Sequence, residues 1–279
     1  MSGRGHRPVP RVLAIAGSDP SGGAGVQADI KSISANGGYA MAAVTALTAQ
    51  STRGVRGVHV PPASFLRQQL DVLGEDIRID AVKIGMLAEA DIADETAGWL
   101  ERSRPPVVVL DPVMIATSGD RLLDEGAESA LRRLLPLADL ITPNVPELAA
   151  LVGAPCAVNA GELHEQAGDL ARDTGALVLA KGGHLGGVEL CDALVDATSG
   201  VVAAFSHPRI VTTSTHGTGC SLSSAIATLR ADRRTWGEAV GEAIRWLAGA
   251  IARGGELGVG EGNGPVHHFA DMWAGAGRR

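Results

Sequence analysis

Short, uniformly apolar segments alternate with helix-like segments along most of this 279-residue chain, and that rhythm restricts the fold more than any other feature. Residues 106–110 (PVVVL) and 176–180 (ALVLA) have no polar face, so both sides of those strands must be covered. Similar short runs stand at 11–16, 39–48, 55–60, 80–84 and 139–142. Between them, helical patterns occupy 24–36, 62–73, 92–101, 125–135, 146–152 and 163–174. The alternation predicts an α/β fold with a central, mostly parallel sheet and helices on both faces. After Lys181 the rhythm changes. Residues 188–195 and 200–205 predict a small antiparallel strand pair, followed by helices at 218–230 and 236–253 and a Gly-rich loop at 254–264. Residues 1–10 read as a disordered tail, and 11–279, without a linker or internal repeat, as a single domain.

Charge and composition exclude several classes of function. A net charge of -7 argues against a nucleic-acid or anionic-membrane partner, either of which wants a basic face. No apolar run approaches the roughly 18 residues of a membrane span, and the N-terminus lacks the apolar core of a signal peptide. Cys156, Cys191 and Cys220 have no paired spacing, so a disulfide framework is not expected and a reducing cytoplasm is the natural setting.

The richest chemistry lies at 213–228, TSTHGTGCSLSSAIAT. Polar residues and two glycines lead straight into an apolar-periodic helix. Gly217 and Gly219 allow a tight turn and close ligand approach. The amides of 217–221 would then point outward at a helix N-terminus, where geometry and dipole both favour an anion. The same field is expected to lower the pKa of a thiol at Cys220. The plainer alternative is a Gly-containing cap with a packed, inert cysteine.

Other residues stand where α/β proteins bind ligands, at the C-terminal ends of strands. Asp111 ends the PVVVL strand, Asn144 and Glu147 follow the next, and Lys181 closes ALVLA. Glu147 has a plain reading too, as a first-turn acid complementing a helix dipole. Gln50 carries an amide with donor and acceptor faces. Asp19, in the loop GSDPSGGAG, reads first as a turn residue bonded to its own backbone. That loop is neither a GxxxxGK[ST] phosphate loop nor a clean GxGxxG.

The segment THGTGCSLSSAIA is similar to the anion-hole signature of ribokinase-like kinases. Its cysteine, where most of that superfamily carries an aspartate base, resembles the hydroxymethylpyrimidine/phosphomethylpyrimidine kinase branch. GSDPSGGAGVQADIKS, ALTAQST, VKIGMLAE, VVLDPVM, ITPNVPELAAL, KGGH and GPVHHF resemble the same branch, in order from Ala14 to Phe269. The resemblance implies ATP-dependent phosphorylation of hydroxymethylpyrimidine and then of its monophosphate, with Mg²⁺ as cofactor, by a homodimer. It implies that Gly217, Thr218 and Gly219 cradle the phosphoryl group and that Cys220 is the base. Gly17, Ala24, Asp29, Gln50, Met86 and Val113 would surround the pyrimidine, and Asn144, Lys181, Thr215 and His216 the nucleotide. Asp111 and Glu147 would serve the metal. A second substrate that brings its own phosphate needs a loop that yields, and 111–126 and 182–187 are the candidates. Pyridoxal kinase is the nearest rival activity, and a non-catalytic vitamin sensor the rival from another class.

Overall fold

The computed structural model describes residues 8–114 and 125–277. Most of the expected tail and the centre of the 111–126 candidate loop lie outside the described residues. Among the described residues one sheet contains strands β1 (Arg11–Ser18), β2 (Tyr39–Ser51), β3 (Gly54–His59), β4 (Ala81–Ile84), β5 (Val108–Leu110), β6 (Leu140–Ile141), β7 (Leu177–Ala180), β8 (Glu189–Asp196) and β9 (Gly200–Pro208). Their order is β3-β2-β1-β4-β5-β6-β7-β8-β9. From β2 to β7 every neighbouring pair is parallel. The β8–β9 pair is antiparallel as the sequence predicts. A second antiparallel edge, β3 on β2, adds to that expectation; only Thr52 and Arg53 separate the two strands, too few for a parallel crossover.

The helices are α1 (Gly25–Ala35), α2 (Ala63–Asp76), α3 (Ala90–Ser103), α4 (Glu125–Leu134), α5 (Val145–Val152), α6 (Ala160–Thr174), α7 (Thr218–Ala231), α8 (Trp236–Ala252) and α9 (Ala270–Gly275). Side-chain alternation along the strands divides the core into two layers. Leu13, Ile15, Val108 and Leu110 pack with Leu66 and Leu70 of α2, Trp99 of α3 and Leu163 of α6. Val12, Ala81 and Val109 point the other way, onto Leu222 and Ile226 of α7 and Val240 and Ile244 of α8. A uniformly apolar strand is what a two-faced core demands. The sequence reading missed α9, a six-residue helix too short to carry a periodic signal.

Candidate active site

The C-terminal ends of β1, β4, β5, β6 and β7 and the N-terminus of α7 meet around one cavity of about 870 Å³. Gly17, Ala24, Gln50, Met86, Asp111, Val113, Asn144, Glu147, Lys181, Thr215, His216, Gly217, Thr218, Gly219 and Cys220 all line it. Of the residues expected at the site, Asp29 is the exception.

Gly217 caps α7 with φ 77°, a left-handed conformation that favours glycine. It also presses on the N-terminal loop: an added Cβ would stand 2.8 Å from the Gly23 carbonyl carbon and 3.1 Å from Ala24 Cα. Ser221 closes the first helical bond by donating its N–H to Gly217 O at 2.9 Å. The Gly219 and Cys220 amides lie ahead of that bond, at the cavity wall. Gly219 is therefore the second residue of the helix and not part of the preceding loop. An added Cβ there would come 3.2 Å from Asp111 Oδ2 and 3.6 Å from Lys181 Nζ. The helix start, the β5 carboxylate and the β7 ammonium thus converge within a few ångströms.

Two lysine–carboxylate pairs flank this point. Lys181 Nζ donates to Asp111 Oδ1 at 3.1 Å, and Thr142 Oγ1 donates to the same oxygen at 3.0 Å. Burial alone would drive the Lys181 ammonium toward neutrality, but Asp111 and Glu147 outweigh it and raise its pKa. Glu147 and Asn144 form a capping box at the start of α5: Glu147 N–H donates to Asn144 Oδ1 at 3.0 Å and Asn144 N–H to Glu147 Oε2 at 2.8 Å. The helix-cap reading of Glu147 is thus realised, in a side chain that also faces the cavity. Burial pushes its carboxyl up to about 7, with Lys181 pulling down and Asp111 adding to the rise.

The second pair corrects the place of Asp29. Asp29 and Lys83 are both fully buried, with Lys83 Nζ donating to Asp29 Oδ1 at 2.8 Å and Ser224 Oγ donating to the same oxygen at 2.8 Å. Asp29 therefore ties α1 to β4 and α7 beneath the cavity instead of touching a substrate. The reason is charge: a buried ammonium on a central strand needs a counter-ion, and Asp29 is the one supplied. Lys83 escaped the sequence reading, although a lysine inside the fully buried strand AVKI was the available signal. Its carboxylate neighbours keep it a firm ammonium against the cost of burial.

The expected activation of Cys220 is also corrected. Burial pushes its thiol up to about 11; Lys83 and the Gly25 N–H pull down, while Asp29 and Asp111 push further up. The helix-end field acts on a sulfur already enclosed among carboxylates, and desolvation wins.

At the other end, Gly17, Ala24, Gln50, Met86 and Val113 form a mixed wall. Met86 packs with Ala46 and Ala88, its Sδ 3.0 Å from where a Cβ on Gly17 would be, and Thr45 Oγ1 donates to Met86 O at 2.6 Å. Gln50 Oε1 accepts from Thr48 Oγ1 at 3.0 Å, which orients the amide. Asp19 is more than a turn residue. It accepts from Ser21 N–H (2.8 Å), Ser21 Oγ (2.9 Å) and Ala24 N–H (2.8 Å), and meets His216 Nε2 at 2.8 Å. Burial alone would raise its carboxyl; these hydrogen bonds bring it down to about 2. His216 lines the cavity, but its Nε2 is committed to Asp19, so it fastens the 19–24 loop to the start of α7 and does not offer that nitrogen to a nucleotide. Ile244, Leu247 and Ile251 of α8, with Ile210, add an apolar wall that the sequence reading did not assign. Among the described residues no group of three or more His, Cys, Asp or Glu forms a metal cage.

The family described as phosphomethylpyrimidine kinase matches residues 19–267. The chain is 50% identical to the hydroxymethylpyrimidine/phosphomethylpyrimidine kinase of Escherichia coli, covering 94% of this chain and 98% of that protein. It is 52% identical to the thiamine biosynthesis multifunctional protein of Corynebacterium efficiens, covering 94% of this chain but only 35% of that longer protein. Among solved structures, Bacillus subtilis pyridoxal kinase in complex with ADP superposes with a TM-score of 0.85 at 30% identity, covering 95% of this chain and 99% of that one. Phosphomethylpyrimidine kinase from Clostridium difficile gives 0.76 at 38% identity, over 87% and 99%.

Proposed function

The chain belongs to the phosphomethylpyrimidine kinase family, and we propose that it transfers a phosphoryl group from ATP to 4-amino-5-hydroxymethyl-2-methylpyrimidine and then to the resulting monophosphate, in thiamine biosynthesis. The observation that carries this reading is the single cavity shared by the α7 N-terminus, the Lys181–Asp111 pair and the Gln50–Met86 wall. Phosphoryl transfer needs positioning and charge stabilisation more than covalent chemistry. The Gly219 and Cys220 amides and the helix dipole hold the transferring phosphoryl oxygens. Lys181 supplies a point charge beside them. Gln50 pairs with the aminopyrimidine edge, Met86 and Val113 cover the ring faces, and Ile210, Ile244, Leu247 and Ile251 take the adenine.

Asp111 and Glu147 bring two hard carboxylates to one buried region of the cavity wall. That donor set fits Mg²⁺, which takes one or two carboxylates and fills its shell with water and phosphate oxygens. When bound, the ion offsets charge on the ATP phosphates. In a loose transition state the nucleophile's proton leaves late, so a protonated Cys220 orients the hydroxyl more than it activates it. The same reading has residues 11–279 work as a single domain, as a homodimer in the cytoplasm.

The pyridoxal kinase neighbours make pyridoxal the competing substrate to test. The experiment measures ATP consumption with hydroxymethylpyrimidine, its monophosphate and pyridoxal in turn. The pyrimidines are expected to be turned over faster. A higher kcat/KM for pyridoxal, or ATP binding without transfer to any of the three, overturns the assignment.

A further inference from the structure

Arg209 lies just past β9, in the cavity wall, and its guanidinium is directed at one segment. Nε donates to Gly187 O at 2.9 Å, Nη1 to Gly183 O at 3.1 Å and Nη2 to Leu185 O at 2.5 Å. Its backbone N–H adds a bond to Val188 O at 2.9 Å. Alternate carbonyls from 183 to 187 therefore converge on one side chain. A short helical turn, closed by Leu185 N–H on Gly182 O at 3.0 Å, and the Leu185 side chain on the core restrain its first half. Gly183 and Gly186 have open space where a side chain would be, and Gly187 sits at φ 112°. Glycines of this kind lose much conformational entropy when ordered, so something must hold them. Its start is fixed separately: Gly182 N–H donates to Asp192 Oδ1 at 2.8 Å, and Asp192 Oδ2 meets His207 Nε2 at 3.3 Å.

An arginine in the wall of an anion-binding cavity invites reading as a phosphate ligand. Here three of its N–H groups serve carbonyl oxygens instead, in the planar fork that suits them. The segment it holds continues directly from Lys181, and Gly183 and His184 join Arg209 and Ile210 in lining the cavity. This wall stands over β7, β8 and β9, whereas Gln50 belongs to β2, near the opposite edge of the sheet.

We propose that Arg209 is a positioning residue for the nucleotide: by gathering the carbonyls of 183, 185 and 187 it keeps the segment after Lys181 in the shape that walls the ATP end of the cavity. The proposal rests on the kinase reading and deepens it. Arg209→Ala releases all three carbonyls. Arg209→Lys keeps the charge and three donors but places them on one nitrogen, so it does not reproduce the planar fork that reaches the three separated carbonyls and is not a rescue.

The test measures three quantities for the wild type and both variants. They are ADP affinity by calorimetry, amide hydrogen exchange of 183–188, and steady-state kinetics with ATP and hydroxymethylpyrimidine varied separately. Preorganisation lost from one wall should raise the ADP Kd and the ATP KM by about tenfold. Exchange at 183–188 should accelerate, and the pyrimidine KM should move far less. Because the side chain is exposed, both variants should melt close to the wild type. Unchanged ADP affinity in both variants overturns the proposal, whether or not exchange accelerates. A fall in kcat at saturating ATP with unchanged ADP affinity overturns it as well, because Arg209 would then act on the transfer step. If the wild type binds ADP but phosphorylates no pyrimidine, the substrate assignment falls, and the ADP affinities still decide the role of Arg209.

Discussion

Replacing Gly217 by alanine strikes the site at its tightest point. Two costs arise. A side chain at φ 77° costs about 1–2 kcal/mol for an L-residue. The new Cβ would also lie 2.8 Å from the Gly23 carbonyl carbon, where ordinary contact begins at 3.4 Å, and closer still to the oxygen. The Gly23–Ala24 backbone must therefore retreat, and it is not free to do so. Ala24 N–H is bonded to Asp19, and Asp19 is bonded to His216, the neighbour of Gly217. The displacement pulls on both ends of one network. A shift of about 1 Å at the amides that hold a transferring group costs about 100-fold, or about 2.7 kcal/mol of transition-state stabilisation. Gly219→Ala should be milder. Its backbone is not in the left-handed region, and its Cβ would come 3.2 Å from Asp111 Oδ2 and 3.6 Å from Lys181 Nζ, a smaller overlap, with side-chain rather than backbone atoms. Single-turnover transfer at saturating ATP and hydroxymethylpyrimidine, with melting curves for both variants, makes the comparison. A folded Gly217→Ala variant within a few-fold of wild type, or one faster than Gly219→Ala, would refute the account of which glycine shapes the anion site.

Gln50→Ala should weaken hydroxymethylpyrimidine by about 1–3 kcal/mol through an unpaired ring edge, with ATP affinity unchanged in the same titrations. Cys220, its thiol pushed up to about 11, should alkylate slowly at neutral pH and accelerate as pH climbs above 9; mass spectrometry should find exposed Cys156 modified first. Cys220→Ala should then cost about tenfold in single-turnover rate, below the usual 10²–10⁴ of a general base, and a larger loss would restore the base assignment. The Asp19 carboxyl, brought from 3.8 to about 2 on folding, contributes stability that is fully present above about pH 4 and lost as pH falls toward 2; Asp19→Asn should flatten that limb of the melting-temperature profile.

The fold was legible because a two-faced sheet writes itself locally. Runs such as 106–110 are apolar at every position, and every strand starts within two residues of where the pattern places it, although β2 and β9 run three residues further than expected. Legibility stopped where partners are distant in sequence. His216 and Asp19 are 197 positions apart, and Asp29 and Lys83 are 54 apart. Nothing near Asp29 says that it faces a lysine rather than a ligand. The Cys220 reading had the helix end right but not the direction of the thiol's pKa, because burial, which raises it most, and the carboxylates of α1 and the end of β5, which add to it, come from parts of the chain distant in sequence. Glu147 shows the opposite case: cap and cavity roles compete in sequence and coexist in three dimensions, since one carboxylate oxygen caps α5 while the side chain stays on the cavity wall.

On the proposed reading, these pairings let a chain with net charge -7 receive a polyanion. If Asp29, Asp111 and Glu147 were all bare carboxylates, their field would repel ATP from the place where the Gly219 amide waits. Lys83 neutralises the first and Lys181 the second, while burial brings the third up to about 7, so that it is only partly ionised near neutral pH. The residual field at the head of α7 is then set by the helix itself, through amides and a dipole that need no net positive charge. Phosphate recognition is thereby separated from the overall charge of the protein. The two lysines differ in exposure: Lys181, 15% exposed at the cavity, borders the space an incoming phosphate would enter, whereas Lys83, with no exposure, stays with Asp29. Of the two pairs, one lies in the floor of the site and the other on its wall, where the cavity reaches the ammonium.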